Sequence, residues 1–164
     1  MSNPTTVGDP GNPAPRTLNI RAQAVIPGQA SGCALVARLP LSFWGGFDAA
    51  TGRVIDVRHD LYGQCVTGKV LFMPGGRGSS SSSGIILEAI RRGTAPAAIV
   101  SLKAEAILAI GSIIGKELYG RWVPVFVAAG DDYDSVRTGD HVTLVQSSDV
   151  KPVVPGVRAG AWDD

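Results

Sequence analysis

Lys69-Val-Leu-Phe-Met-Pro-Gly-Gly-Arg-Gly-Ser-Ser-Ser-Ser-Ser-Gly-Ile-Ile-Leu-Glu-Ala-Ile-Arg-Arg-Gly93 decides how the chain folds. It opens with an apolar run of strand length, and from about Ser81 onward Ile85, Ile86, Ala89 and Ile90 recur on one helical face. Arg91 and Arg92 fall where the end of a helix favours cations, and Gly93 and Pro96 stop it. The glycines between strand and helix let the backbone turn sharply and aim successive N–H groups into one concavity. The helix start adds unpaired N–H groups and positive potential, so an anion is favoured there. Ser79 or Ser80 would stand at the centre of that field, with Arg77 adding charge. Three readings remain open: a flexible serine linker, an elaborate helix cap, and an anion-binding or catalytic site. The clamp between an apolar strand and an amphipathic helix favours the third. No Gly-Lys-Ser/Thr of a P-loop and no Gly-x-Ser-x-Gly of a nucleophile elbow occurs in the loop.

On either side the chain reads as short elements. Thr17 to Ile26 alternates between apolar Leu18, Ile20, Ala22 and Ala24 and polar Asn19, Arg21 and Gln23, which predicts a half-buried strand. Cys33–Ala37, Arg53–Val57, Lys69–Met73, Ala98–Leu102, Val123–Ala128 and His141–Gln146 read as further strands. Residues 131–139 read as a polar turn. A second helix over roughly Glu105 to Tyr119 points Ile107, Ile110, Ile114 and Leu118 inward, while Gly111 and Gly115 allow close approach to a sheet. About seven short strands and two main helices predict a mixed α/β or α+β layered domain. Residues 1–16 carry four prolines and little apolar bulk, so they are expected to be a disordered arm. Residues 17–147 form the domain, and residues 148–164 an extended tail.

Composition removes several classes of function. The 164 residues carry 15 basic and 14 acidic side chains, a net charge of +1, which leaves no broad basic field for nucleic acid. The 21 glycines and 11 prolines argue against a helical bundle. No apolar run reaches membrane-spanning length, and the N-terminus has no secretory pattern. A cytoplasmic protein is therefore expected. Cys33 and Cys65 are too few for a disulfide framework or a metal site, and their small or apolar neighbours predict buried, inert thiols.

Four motifs together resemble one family. Pro40-Leu-Ser-Phe-Trp-Gly-Gly46, the Asp48-x-x-Thr-Gly52 turn, Val54-Ile-Asp-Val-Arg-His59 and Gly76-Arg-Gly-Ser-Ser-Ser-Ser-Ser83 occur in the order found in the swivel domain of aconitase X. The resemblance covers residues 20–145. It implies a compact β/β/α swivelling domain, the small subunit of a hydro-lyase, that closes over an iron–sulfur active site carried by a large catalytic subunit. By the same resemblance Ser79 is the base that removes the substrate's α-proton. Gly76, Arg77, Gly78, Ser80 and Ser42 are substrate-binding candidates. Two places after the base, where aconitase has arginine, stands Ser81, which departs from tricarboxylate recognition. The cluster needs several thiolates, more than this chain offers, so it is expected on the large subunit.

The substrate implied is cis-3-hydroxy-L-proline, dehydrated to Δ1-pyrroline-2-carboxylate. Mevalonate 5-phosphate is the alternative within the family, and Arg77 as sole nearby cation weighs against a phosphate. A non-catalytic anion-binding module and an assembly scaffold are readings of other kinds. Ser42 and Trp44 either border the substrate or face the partner. His59 is a proton relay or a loop histidine bonded to backbone. His141 reads as surface. Arg121-Trp122 is an exposed anchor for the partner or the edge of the core.

Overall fold

The computed structural model describes residues 14–78 and 80–146. Ser79, most of the N-terminal arm and the C-terminal tail lie outside the described residues. In chain order the elements are β1 (Thr17–Ile26), β2 (Ser31–Val36), α1 (Phe43–Gly46), β3 (Phe47–Asp48) and β4 (Arg53–Val54). There follow β5 (Val70–Met73), α2 (Ser81–Arg92), β6 (Ala98–Ser101), α3 (Ala106–Tyr119), β7 (Val125–Ala128), α4 (Gly130–Asp134) and β8 (His141–Gln146).

Among the described residues, six of the eight strands close into a barrel in the order β1-β7-β6-β5-β2-β8, and β3 and β4 form a separate ribbon. The barrel is mixed: β2, β5, β6 and β7 run parallel in sequence, whereas β1 pairs antiparallel with β7 and parallel with β8. The mixed α/β class expected from the sequence holds, and the predicted layers turn out to be a closed sheet under helices.

Alternation explains why the short central strands are apolar on both faces. Val70 and Phe72 of β5, with Ala98 and Val100 of β6, belong to a cluster that also holds Ile20, Phe126, Val142 and Leu144. Leu71, Met73 and Ile99 point the other way, onto Ile86, Ala89 and Ile90 of α2 and Leu108 of α3. Tyr133 of α4 closes the first cluster. Its ring meets Phe72 at 5.8 Å between centroids, and its hydroxyl donates to Ala37 O at 3.0 Å. Burial pushes the Tyr133 pKa upward.

Several expectations change. The predicted strand Arg53–Val57 ends at Val54, because Asp56 Oδ1 accepts the Arg58 N–H and turns the chain, leaving Ile55 and Val57 exposed. Residues 131–139, read as a turn, include part of α4. The second helix faces differently from its periodicity. It buries Leu108, Ala109, Gly111, Ser112 and Gly115, while Ile110, Ile114 and Leu118 are 49%, 38% and 63% exposed. The cause is backbone approach to α2 instead of a sheet: a Cβ on Gly111 would lie 2.5 Å from Ser83 O. A face of small residues brings the two helices nearer than isoleucines would allow.

The thiols also differ from expectation. Cys33 is exposed beside its equally exposed cross-strand partner His141, and Cys65 is half-buried. Among the described residues no helix is long and apolar enough to cross a membrane.

Candidate functional site

The glycine-rich loop leaves the C-terminal end of β5 and is braced from two sides. Gly76 N–H donates to Glu105 Oε1 at 2.7 Å, tying the loop to the start of α3. Arg77 N–H donates to Leu41 O at 3.1 Å, and Leu41 bridges Gly76 in parallel. Two loop amides are thus spent on the protein itself. The anion-favouring donors near the helix start are correspondingly those beyond Arg77. Gly78 has φ +124°, and a Cβ there would come within 2.9 Å of Ser42 Oγ, so glycine lets the two segments touch.

Ser42 donates its hydroxyl to Trp44 O at 2.7 Å, which holds the bend of α1. Ser80 immediately precedes α2; its carbonyl accepts from Ser83 N and from Ser83 Oγ, and its side chain caps nothing. Ser79 is bonded to Gly78 on one side and Ser80 on the other.

A third segment completes the wall. His59 is buried, and both ring nitrogens are engaged: Leu61 N–H donates to Nδ1 at 3.1 Å, so Nε2 carries the proton that meets Leu39 O, also at 3.1 Å. Asp60 accepts from Arg38 N and Leu39 N. These bonds fasten residues 56–61 to residues 38–40 and satisfy the histidine as a structural member, leaving no lone pair for a relay. The result is a groove of about 620 Å³ whose lining includes Ser42, Trp44, Asp56, Arg58, Arg77 and Gly78. Gly76, Arg77 and Gly78 also line a smaller pocket of about 140 Å³ with Glu105.

The structure therefore gathers Ser42, Gly76, Arg77 and Gly78, and Ser80 stands two residues after Gly78 in the chain. Sequence reasoning missed Asp56, Arg58 and Glu105. Glu105 carried a local signal as the first residue of a predicted helix, but its loop partner lies 29 positions away. Arg58 stood beside a motif histidine, and nothing local told which way it faced.

The remaining candidates serve the fold. Arg91 and Arg92 share Glu88, whose carboxyl they hold down at about 2. Trp122 donates Nε1 to Pro27 O at 2.9 Å and lies under Lys116, and at 38% exposure it is a surface residue, the exposed one of its two readings. His141 is exposed, as expected.

Among the described residues no group of three or more His, Cys, Asp or Glu side chains is placed to hold a metal ion. The Cys65 thiol pKa is lowered, first by a hydrogen bond with Thr67 and then by the charges of Arg53 and Lys69. One such thiol does not make a cluster site.

The family model of the aconitase X swivel domain matches residues 19–151. The chain belongs to the aconitase X swivel-domain family. The chain is similar in structure to aconitase X of Thermococcus kodakaraensis (holo-form), with a TM-score of 0.65 and 36% identity, covering 74% of this chain and 87% of that one. The phosphomevalonate dehydratase small subunit of Methanocella arvoryzae is 45% identical over 128 residues, 77% of this chain and 92% of that protein. The cis-3-hydroxy-L-proline dehydratase of Hypocrea jecorina is 38% identical over 130 residues, 79% of this chain but 22% of that enzyme. The chain thus spans about a fifth of the hydroxyproline dehydratases it matches and nearly all of a phosphomevalonate dehydratase small subunit.

Proposed function

We propose that this swivel domain is the small subunit of an aconitase X-type dehydratase and supplies the base, Ser79, for dehydration of cis-3-hydroxy-L-proline. The observation that carries this reading is the braced loop. Gly78, at the rim of a groove with two arginines, is followed directly by Ser79, Ser80 and the start of α2. Ser79 takes the proton on the carbon next to the carboxylate; that C–H bond and the C–OH bond break, a C=C bond forms, and water leaves. The enamine then tautomerises to Δ1-pyrroline-2-carboxylate. Amide dipoles at the helix start favour the serine alkoxide and hold its negative charge. Departure of the hydroxyl belongs to the larger catalytic partner, as does any iron–sulfur cluster, since this chain's described residues do not fit one.

Asp56 beside Arg58 and Arg77 gives the groove both signs of charge, which complements a substrate bearing a carboxylate and a ring ammonium. Mevalonate 5-phosphate is the second reading, favoured by Arg58, a cation in the groove additional to Arg77, and by relatives named as small subunits. Reconstitution with the larger subunit tests the proposal. The isolated chain should turn over neither compound, and the assembled complex should consume cis-3-hydroxy-L-proline. Turnover by the isolated chain would overturn the division of labour.

A further inference from the structure

Arg58 and Arg77 line the groove from different segments of the chain. Among the described residues neither guanidinium makes a hydrogen bond or an ion pair. Asp56, the obvious partner, lies two residues before Arg58 on the same wall. Its Oδ1 accepts the Arg58 backbone N–H at 3.0 Å, and it forms no ion pair with either side chain. The cationic end of Arg58 therefore contributes nothing visible to the fold.

Its backbone is held firmly all the same. His59 N–H donates to Asp56 O at 3.0 Å, both His59 ring nitrogens are engaged, and Asp60 accepts two amides of the facing segment. A free guanidinium on a loop braced this heavily is a preorganised receptor: little motion must be frozen when an anion arrives. Its planar fork fits the two oxygens of a carboxylate or phosphate.

We infer that Arg58 is a substrate-binding, specificity-determining residue whose guanidinium receives an oxyanion of the substrate. The inference rests on the functional reading above, and one set of kinetics separates the two. The assembled complex is compared as wild type, Arg58→Ala and Arg58→Lys, with cis-3-hydroxy-L-proline and mevalonate 5-phosphate in parallel. For the substrate that the wild type consumes, Arg58→Ala should raise KM by about tenfold or more. It should leave kcat within about threefold, the signature of lost uniform binding. Arg58→Lys should recover part of the affinity as a point charge.

An effect with cis-3-hydroxy-L-proline assigns the oxyanion as its carboxylate. In a complex that consumes both compounds, an effect confined to mevalonate 5-phosphate assigns the oxyanion as the phosphate, because the carboxylate is common to both. In a complex that consumes mevalonate 5-phosphate alone, the effect assigns an oxyanion of that substrate. An unchanged KM in an active complex overturns the role of Arg58 and leaves the functional reading standing. Loss of assembly in Arg58→Ala also overturns it, since Arg58 would then serve the subunit contact. A wild-type complex that dehydrates neither compound brings down the functional reading and this inference together.

Discussion

Among the described residues Asp140 is the only buried carboxylate, and both of its oxygens accept hydrogen bonds. Arg16 reaches it through its backbone N–H, Nε and Nη2, the last at 2.6 Å, and Arg137 N–H donates to it at 2.9 Å. The Arg16 hydrogen bond is the largest influence holding its pKa at about 2. The free-chain value is near 4, so folding gains this stabilisation in full above about pH 4 and loses it as pH falls toward 2. Thermal melts between pH 5 and 2 should show a falling Tm, and Arg16→Ala should flatten that fall while lowering Tm at neutral pH. A variant that keeps the full acid sensitivity would show that another carboxylate is responsible. The sequence hid this residue. Arg16 closes the segment expected to be a disordered arm, and its partner is 124 positions away. The loop histidine was better marked, since one of its two readings, a ring bonded to backbone, matches the bonds to Leu39 O and Leu61 N.

At the level of elements, α3 is where hydrophobic periodicity misleads. Its large residues at positions 110, 114 and 118 repeat at helical spacing, yet the buried face is the one lined by Gly111, Ser112 and Gly115. Ser112 fixes that face by exchanging hydrogen bonds with both the N–H and the C=O of Val123. Gly111→Ala gains helix propensity worth about 1 kcal/mol but drives a methyl group into the Ser83 carbonyl, so it should destabilise by about 1–3 kcal/mol net. Leu118→Ala, on the exposed face, should cost less than about 1 kcal/mol instead of the roughly 2–5 kcal/mol of a core leucine. Denaturant titration of both variants checks the orientation, and the opposite ranking would reinstate the face that periodicity predicts. The two arms of the strand–loop–helix unit at residues 69–93 needed no such correction, because each depends on contacts that the local pattern already orders.

Across the whole molecule, the missing information was which distant segments meet. Period-two alternation marks the faces of a strand but not its neighbours, and the barrel closes through β1 beside β8 and β2 beside β8, pairings more than a hundred residues apart. The groove has the same origin. Its loop could be read locally, whereas Asp56 and Arg58 of its lining come from a turn, and Glu105, which braces the loop from outside the groove, comes from the start of a later helix. What the assembled fold offers is an open, charged groove beside a helix start, suited to being covered by a second chain. The most direct measurement is kcat of the reconstituted complex carrying Ser79→Ala, with assembly verified by gel filtration. Loss of turnover by about a hundredfold or more in an intact complex is the predicted result. A fall of only a few-fold would contradict a serine base and leave an anion-binding module in its place.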